Sequence, residues 1–194
     1  MDADSLPEPP GVAAQERSMK NIILINGTMG VGKTSACMEL RRILPRNVFL
    51  DGDWCWFASP FVVTGETKAM ALGNIAHLLN SFIACSAYDN IIFCWVMHLP
   101  EILDSLCGAL RLDGCLVHRF TLTATEEALA GRLGRDIANG LREPDIIGRA
   151  AARLPLYDAM DTVKIDVGGI TPGQAAVAIM ERISKRISAS QGFS

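Results

Sequence analysis

Short apolar runs alternate with longer amphipathic segments from about residue 20 to the end of the chain. Five of the runs are rich in β-branched or aromatic residues and have the length of buried strands. They are NIILIN at 21–26, NVFLD at 47–51, NIIFCWVM at 90–97, LVHRFTLT at 116–123 and TVKIDV at 162–167. Because helical patterns separate these runs, their order predicts an α/β fold, a parallel sheet with helices on both faces.

The segments between the runs have helical spacing. In the first of them Cys37, Leu40 and Leu44 fall on one helical face, and Pro45 ends the helix. Further helices are predicted at 67–88, 100–110, about 126–140, about 144–158 and from 171 onwards.

Two of these helices begin with a capping pattern. Thr123 and Glu126 have the spacing of a capping box, which predicts a helix from there to about residue 140. TPGQ at 171–174 combines an N-cap threonine, a proline at the first helical position and a glutamine, and predicts the start of the last helix. Since there is no internal repeat or interior linker, we expect one domain at 20–194 after a disordered extension at 1–19.

Composition narrows the class of protein. Hydrophobic residues make up 49% of the chain, charged residues 20%, and the net charge is −3, so a basic nucleic-acid-binding surface is not indicated. The six cysteines are scattered without a Cys-x-x-Cys pair, which favours reduced, buried cysteines and a cytoplasmic location over disulfides or a zinc site. Polar residues interrupt the longest apolar stretch, at 69–88, so we predict a buried helix there and no membrane span.

A glycine-rich loop lies between the first predicted strand and helix. GTMGVGKT at 27–34 fits the pattern G-x-x-x-x-G-K-[ST] in full. Glycines let backbone N–H groups curl around an anion, and the helix that starts near Gly32 directs its positive end at the phosphates. We expect Lys33 to reach the β- and γ-phosphates and the Thr34 hydroxyl to bind Mg²⁺; the alternative is a glycine turn with a chance lysine. The predicted nucleotide-binding residues are Gly27, Thr28, Met29, Gly30, Val31, Gly32, Lys33, Thr34 and Ser35.

Two other classes of P-loop protein are disfavoured. GTPases carry an Asn/Thr-Lys-x-Asp motif that binds guanine, whereas the nearest string here, VKID at 163–166, alternates like a plain strand. Motor-type ATPases usually have an acidic residue at the end of the third strand to hold magnesium, and IIFCWVMH at 91–98 has none.

Three features together make the sequence resemble the P-loop small-molecule kinases over about residues 20–190. They are the glycine loop, Asp51-Gly52-Asp53 after the second strand, and an arginine-rich segment after the fourth. This group includes nucleoside monophosphate kinases, shikimate and gluconate kinases and chloramphenicol phosphotransferase. The resemblance implies a three-layer α/β/α sandwich, a sheet order of 2-3-1-4-5, a mobile helical lid at about 132–153, and ATP- and Mg²⁺-dependent phosphoryl transfer to a hydroxyl or phosphate of a small molecule.

The resemblance to the shikimate-kinase branch also assigns roles to the two aspartates. It implies that Asp51 holds a magnesium-bound water, and that Asp53 accepts a hydrogen bond from the acceptor hydroxyl and helps to remove its proton. The chemistry agrees, because phosphoryl transfer needs positioning, charge neutralisation and a carboxylate that orients the nucleophile. The alternative is that Asp-Gly-Asp is only a turn.

Five arginines and no lysine lie between residues 132 and 153. They are Arg132, Arg135, Arg142, Arg149 and Arg153. Arg132, Arg135 and Asp136 share one helical face, and arginine both binds phosphate and stacks on bases. The resemblance implies that Arg132 lies against adenine, that Arg135 and Arg142 meet the transferring phosphate, and that GGITP at 168–172 passes around the adenine edge. A solvated helix face is the alternative, and the last two arginines are expected to be structural.

The segment after the third strand departs from the family pattern. Nucleoside monophosphate kinases have an Asp-Gly-x-Pro-Arg-type motif there and shikimate kinase a glycine run, whereas this chain has WVMHLPE at 95–101. Neither acceptor is therefore assumed. We expect Trp54, Trp56 and Phe57, with His98 as a further candidate, to line a pocket for an acceptor with a flat or partly apolar face. Core packing of the tryptophans and a structural role for His98 are the alternatives.

Other functions remain open at this point. One is an ATP-binding regulatory or interaction module, or a P-loop NTPase without a small-molecule acceptor. Another is a toxin-like or RNA-end kinase, against which the net negative charge argues. The sequence does not identify the acceptor, the pathway or the oligomeric state.

Overall fold

The computed structural model of the protein describes residues 19–191. Its centre is a five-stranded sheet in the order β2-β3-β1-β4-β5, with every neighbouring pair parallel. The strands are β1 (Lys20–Asn26), β2 (Asn47–Asp51), β3 (Asn90–Cys94), β4 (Cys115–Thr123) and β5 (Val163–Asp166). The predicted sheet order is confirmed. Of the predicted N-terminal extension, only Met19 is among the described residues.

Helices connect the strands and flank the sheet. They are α1 (Lys33–Ile43), α2 (Gly65–Ala84), α3 (Pro100–Ala109), α4 (Glu126–Ala138), α5 (Ile146–Ala151), α6 (Leu154–Asp158) and α7 (Pro172–Gln191). A short 3₁₀ helix, Gly52–Trp56, directly follows β2. Across the described part of the chain, none of the helices has the length and apolar character needed to span a membrane.

The period-two alternation of the strands places one hydrophobic cluster on each face of the sheet, and a third, smaller cluster lies between α4 and α5. Along β1, Ile23 and Ile25 face one cluster and Ile22 and Leu24 face the other, and all four are buried. The first cluster packs against α1 and α7, including the predicted face of Cys37, Leu40 and Leu44; the second packs against α2 and α3. Burial on both faces explains why the strands are nearly continuous apolar runs.

Two predicted boundaries are wrong, because side chains form hydrogen bonds with backbone groups near the ends of these elements. The strand predicted to reach residue 97 ends at Cys94, because the Met97 N–H and C=O bond to the Asn26 side chain. The helix predicted at 67–88 is α2, which begins earlier because Thr64 and Thr67 form a capping box.

The lid segment differs from its prediction at two places. Thr123 does not cap α4, because it remains in β4 paired with Asp166; Thr125 caps the helix instead and accepts from Ala128 N. The single helix predicted at 144–158 is two, α5 and α6, and Pro155 lies in the first turn of α6, where its missing N–H does no harm.

Other sequence predictions are confirmed. TPGQ begins α7, where Thr171 N donates to Gln174 Oε1 at 2.8 Å and Gln174 N donates to Thr171 Oγ1 at 3.2 Å. VKID is strand β5. The predicted burial of the six cysteines holds for only two of them, Cys37 and Cys94; the other four are partly exposed.

Candidate active site

A cavity of about 600 Å³ opens at the carboxyl ends of the strands, where α/β proteins place ligands. The glycine loop, the end of β2, helix α4 and the loop after β5 all contribute to its wall. Its polar lining residues include Lys33, Thr34, Ser35, Asp51, Asp53, Arg132, Arg135, Asp136 and Arg142. Most of the predicted site residues are therefore brought together.

At two positions of the loop, both the backbone conformation and the neighbouring atoms require glycine. Gly27 has φ 142° and Gly30 has φ 75°, values that side chains rarely allow. A Cβ at Gly27 would lie 2.7 Å from Leu122 O, and one at Gly30 would lie 2.4 Å from Leu133 Cδ2. The loop is thus closely packed against β4 and α4.

Buried polar side chains hold the loop in place from below. Asn26 Oδ1 accepts from Gly27 N and from Met97 N, both at 2.8 Å, and its Nδ2 donates to Met97 O at 2.6 Å. Thr28 Oγ1 donates to Ala150 O of α5 at 2.9 Å. Gly27 and Thr28 accordingly lie beneath the cavity, while residues 29–35 of the loop line it.

Lys33 lies inside the loop with its ammonium group against the backbone. Its Nζ donates to Gly27 O and Thr28 O, each at 3.0 Å. Burial lowers the pKa of Lys33, and the nearby carboxylates of Asp51 and Asp53 oppose that shift. The start of α1 has no side-chain cap, so its first-turn N–H groups have no side-chain acceptor.

Asp51 forms the polar floor of the cavity. It is buried, its Oδ2 accepts from Thr34 Oγ1 at 2.6 Å, and its Oδ1 accepts from Asp53 N at 3.1 Å. A Cys94 thiol donates to the same Oδ2 at 3.5 Å. The Thr34 hydroxyl and the Asp51 carboxylate are hard oxygen donors of the type that Mg²⁺ prefers, so the two predicted metal-binding residues fit that ion.

Asp53 lies two residues further on, with its carboxylate open to the cavity. Its Oδ1 accepts from Trp95 Nε1 at 3.1 Å. Removal from bulk water raises the pKa of Asp53, the Asp51 carboxylate adds to this, and Lys33, the Trp95 bond and Arg142 act in the opposite direction. The sequence prediction did not include Trp95 in this site, since the only available signal was its position after the third strand.

Arg132 bridges two loops at the other end of the cavity. Its guanidinium donates to Val31 O of the glycine loop at 2.9 Å, to Gly168 O at 3.2 Å and to Val167 O. Several residues of the GGITP loop line the cavity beside it. Arg132 and the GGITP loop, both predicted to lie at the adenine, are therefore adjacent, and the contact with adenine stays a prediction.

The remaining lid arginines divide into two groups. Arg135 and Arg142 line the cavity, and Arg142 Nε pairs with Asp136 Oδ2 at 3.4 Å. Outside the cavity lining, Arg149 Nε pairs with Asp145 Oδ2 at 3.0 Å, and Arg153 donates to Met29 Sδ at 2.6 Å. Arg135 and Arg142 therefore lie where a phosphate contact is possible, and that contact stays a prediction.

The aromatic residues predicted for the acceptor do not line the cavity. Trp54 is 59% exposed and packs edge-on against Phe49, with ring centroids 5.3 Å apart. The ring centroids of Trp56 and Phe61 are 4.8 Å apart, and Phe57 is fully exposed. Their role toward an acceptor stays a prediction.

His98 is also outside the cavity lining. It is half-buried, and its Nδ1 has no hydrogen-bond partner in the described part of the chain. Burial lowers the pKa of His98, and Arg153 and Lys68 lower it further. The unpartnered Nδ1 does not fit a structural role with satisfied hydrogen bonds, and a role of His98 toward an acceptor stays a prediction.

Comparison with protein families gives a decisive match. Residues 23–144, more than half of the chain, match the model of a family described as an AAA domain. The chain belongs to this family. No curated protein matches the sequence.

Solved structures resemble this AAA-domain protein over most of its length. The tunicamycin resistance protein of Deinococcus radiodurans is 23% identical, with a TM-score of 0.66 over 84% of this chain and 95% of that one. A gluconokinase from Sinorhizobium meliloti 1021 is 18% identical, with a TM-score of 0.63 and coverage of 90% and 99%. Shikimate kinase from Acinetobacter baumannii, in complex with shikimate, is 20% identical, with a TM-score of 0.58 and coverage of 87% and 95%.

At these identities the likeness is one of fold. The AAA-domain protein has the fold of the P-loop small-molecule kinases, so the resemblance indicated by its sequence is confirmed.

Proposed function

We propose that the protein is an ATP- and Mg²⁺-dependent kinase that transfers the γ-phosphoryl group to a hydroxyl or phosphate of a small molecule. The observation that carries this proposal is the single cavity in which the glycine loop, Asp51, Asp53 and the arginines of the lid meet. A protein that only bound nucleotide would need the loop but not an open carboxylate beside it. Kinases named for small-molecule acceptors share the fold.

The nucleotide occupies the loop. The N–H groups at the uncapped start of α1 bind the phosphates. Lys33 leaves the carbonyls of Gly27 and Thr28 and binds the β- and γ-phosphates. Arg132, fixed by carbonyls on both sides, supports the adenine.

The metal ion belongs beside the floor of the cavity. The hydroxyl of Thr34 and the carboxylate of Asp51, which bond to each other, would hold it. When bound, Mg²⁺ neutralises charge on the phosphates.

Asp53 faces the acceptor. Its carboxylate accepts the hydrogen bond of the attacking hydroxyl, which loses its O–H bond as the new O–P bond forms. The bond from the γ-phosphorus to the bridging oxygen breaks, ADP leaves, and the proton passes to Asp53 and then to solvent. An acceptor phosphate, already deprotonated, attacks without that proton transfer. Positioning and electrostatics supply most of the rate in such reactions.

Arg135 and Arg142 act on the transferring group. Both line the cavity, and Arg142 reaches Asp53 electrostatically while it pairs with Asp136. Their guanidinium groups bind the phosphoryl oxygens as charge shifts between ADP and the acceptor.

The proposal includes an acceptor with a flat or partly apolar face and a cytoplasmic location. Exposed aromatic side chains follow Asp53 directly in the chain, which supports the former. The absence of disulfides among the described residues supports the latter.

The test is a panel of nucleosides, sugars, small carboxylates and antibiotics with purified protein, ATP and Mg²⁺, following ADP formation. We expect at least one acceptor to raise turnover and Asp53→Asn to remove that increase, by about 10²–10⁴-fold if the general base is lost. The matched control is Asp113→Asn, an exposed carboxylate before β4 at the opposite ends of the strands. The kinase assignment is overturned if no acceptor raises turnover and Asp53→Asn leaves basal ATP hydrolysis unchanged.

A thermal-shift measurement separates a kinase from an ATP-dependent switch. A ligand that binds only the folded state raises the melting temperature. With a non-hydrolysable ATP analogue present, a kinase is stabilised further by its acceptor, whereas a regulatory module without an acceptor gives no second increase.

A further inference from the structure

We propose that Trp95 is a positioning residue that fixes the carboxylate of Asp53 in the orientation that receives the acceptor. This inference rests on the proposed function, because it assigns Asp53 its acceptor role. The observation that supports it is the hydrogen bond that Trp95 Nε1 donates to Asp53 Oδ1 at 3.1 Å.

The backbone places Trp95 where it can act on Asp53. Asp51 and Cys94 are partners in the register of β2 and β3, so the residues that follow them leave the sheet side by side. The Trp95 N–H continues the sheet with one more bond, to Ile25 O at 3.2 Å. Trp95 is therefore anchored by the central strand of the sheet.

The indole ring itself is held by close packing. A Cβ at Gly52 would lie 2.5 Å from Trp95 Cγ and 2.6 Å from Trp95 Cδ1, so the ring lies directly on the backbone between the two aspartates. Only glycine permits this contact. Trp95 is half-buried and belongs to the edge of the core cluster under α2.

Asp53 has no other side-chain hydrogen bond in the described part of the chain. Its own N–H is fixed by Asp51 Oδ1, but its carboxylate projects into the cavity among charged groups. Lys33 and Arg142 attract it and Asp51 repels it. The neutral indole N–H holds one carboxylate oxygen, and the second oxygen remains free for the acceptor hydroxyl.

The kinetic test is Trp95→Phe, which keeps a flat ring and removes the N–H donor. We expect kcat to fall roughly tenfold, the size of a lost hydrogen bond to a charged group, with the KM for ATP within about twofold. Tyr88→Phe, far from the cavity before β3, is the matched control and should leave both constants unchanged.

Introducing the same change into the Asp53→Asn protein distinguishes positioning from general support of the fold. If Trp95 acts through the Asp53 carboxylate, Trp95→Phe has little further effect on the residual rate of that variant. An equal fold-loss in both backgrounds, or no loss in the wild type, overturns the proposal.

The contact is also tested by a measurement that does not depend on activity. The chain has three tryptophans, and the indole ¹⁵N–¹H signal missing from Trp95→Phe identifies that of Trp95. We expect Asp53→Asn to shift this signal and Asp113→Asn to leave it in place. An unmoved signal overturns the Trp95 proposal, whereas a shifted signal in a protein that phosphorylates no acceptor overturns the proposed function instead. If Trp95→Phe does not fold, the same signal is assigned from residue-specific labelling of the wild type.

Discussion

Polar side chains lie near both ends of the parallel strands, but the hydrogen bonds of the two groups have different roles. Toward the amino ends, Asn21 Nδ2 donates to Asn90 Oδ1 at 2.9 Å and Asn21 Oδ1 lies 3.0 Å from His118 Nε2. Toward the carboxyl ends, Lys33 and Asp53 face a cavity, and Lys33 bonds only to carbonyls of its own loop. The first group satisfies its hydrogen bonds within the protein, whereas the second has bonds that a ligand can replace.

The comparison shows how a structural cluster of polar side chains differs from a ligand-binding site. Burial alone does not do it, because Asn21 and Asp51 are both buried. The two residues differ in what their side chains face. The Asn21 side chain bonds to protein groups at both its nitrogen and its oxygen, whereas the Asp51 side chain lines the cavity. We therefore expect substitutions at the amino ends to affect stability, and those at the carboxyl ends to affect activity.

The largest effect is expected for Lys33→Met. Phosphoryl transfer should fall about 10²–10³-fold, because a preorganised cation at the developing charge is lost. The free energy of unfolding should not decrease, since burial of the ammonium group is unfavourable, as its lowered pKa indicates. Initial rates of ADP formation and urea unfolding measure the two quantities, with Lys185→Met on the exposed side of α7 as the control. Retention of a rate within tenfold of the wild type would contradict the comparison.

At the amino ends, Asn21→Ala should give the opposite result. It removes the buried partner of His118 Nε2 and of Asn90 Oδ1, which costs about 2–3 kcal/mol of unfolding free energy. The kcat should be unchanged. The control is Asn74→Ala, an exposed amide with one bond of 3.3 Å to Cys55 O, for which about 0.5 kcal/mol or less is expected. A loss of activity without a loss of stability would reverse the assignment of this cluster.

His118 makes the same cluster sensitive to acid. Burial lowers its pKa to about 4, with Arg186 adding to the effect. Below its unfolded pKa of about 6.5 the unfolded chain binds a proton that the folded protein does not, so stability falls as pH decreases, by about 2 kcal/mol between pH 7 and pH 5.

Replacement of His118 by Gln removes this titration and should flatten the dependence of unfolding free energy on pH across that interval. Urea unfolding at pH 7, 6 and 5 measures it, with the exposed His77→Gln as the control. Equal slopes in the wild type and His118→Gln would show that other groups cause the acid sensitivity.

The smallest effect is expected for Arg149→Ala. Its ion pair with Asp145 is exposed and outside the cavity lining, so it contributes about 0.5 kcal/mol or less to stability. Arg142→Ala removes a similar ion pair, with Asp136, but one that lines the cavity, and should reduce kcat more than tenfold. Similar losses of activity in both variants would remove the distinction between the two groups of lid arginines.

Local signals in the sequence predict most of the fold. The apolar run of β1 and the TPGQ cap of α7 each depend on neighbours within a few positions, and both are confirmed. The glycine loop lies between β1 and α1 as its pattern predicts, and its contact with a nucleotide stays a prediction. Contacts between distant segments were missed. The end of β3 depends on Asn26, 71 positions away from Met97, and the Trp95 bond to Asp53 joins residues 42 positions apart.

The same limit applies to the lid and the acceptor. The cap of α4 was placed at Thr123 because the spacing fitted, while the pairing of Thr123 with β5 is not visible in a single sequence. The sequence shows that Trp54 and Trp56 lie next to Asp53 in the chain. It does not show the direction of their rings, which pack against Phe49 and Phe61.

The packing of Gly30 against Leu133 has a consequence for protein engineering. The glycine loop and the lid helix are shaped to each other, since a leucine side chain fills the space that a Cβ on the loop would take. A graft of residues 27–34 into another parallel α/β scaffold would therefore lack the leucine that packs on Gly30. The transplanted segment has to include α4, or the new scaffold has to supply another side chain that fills the volume of Leu133.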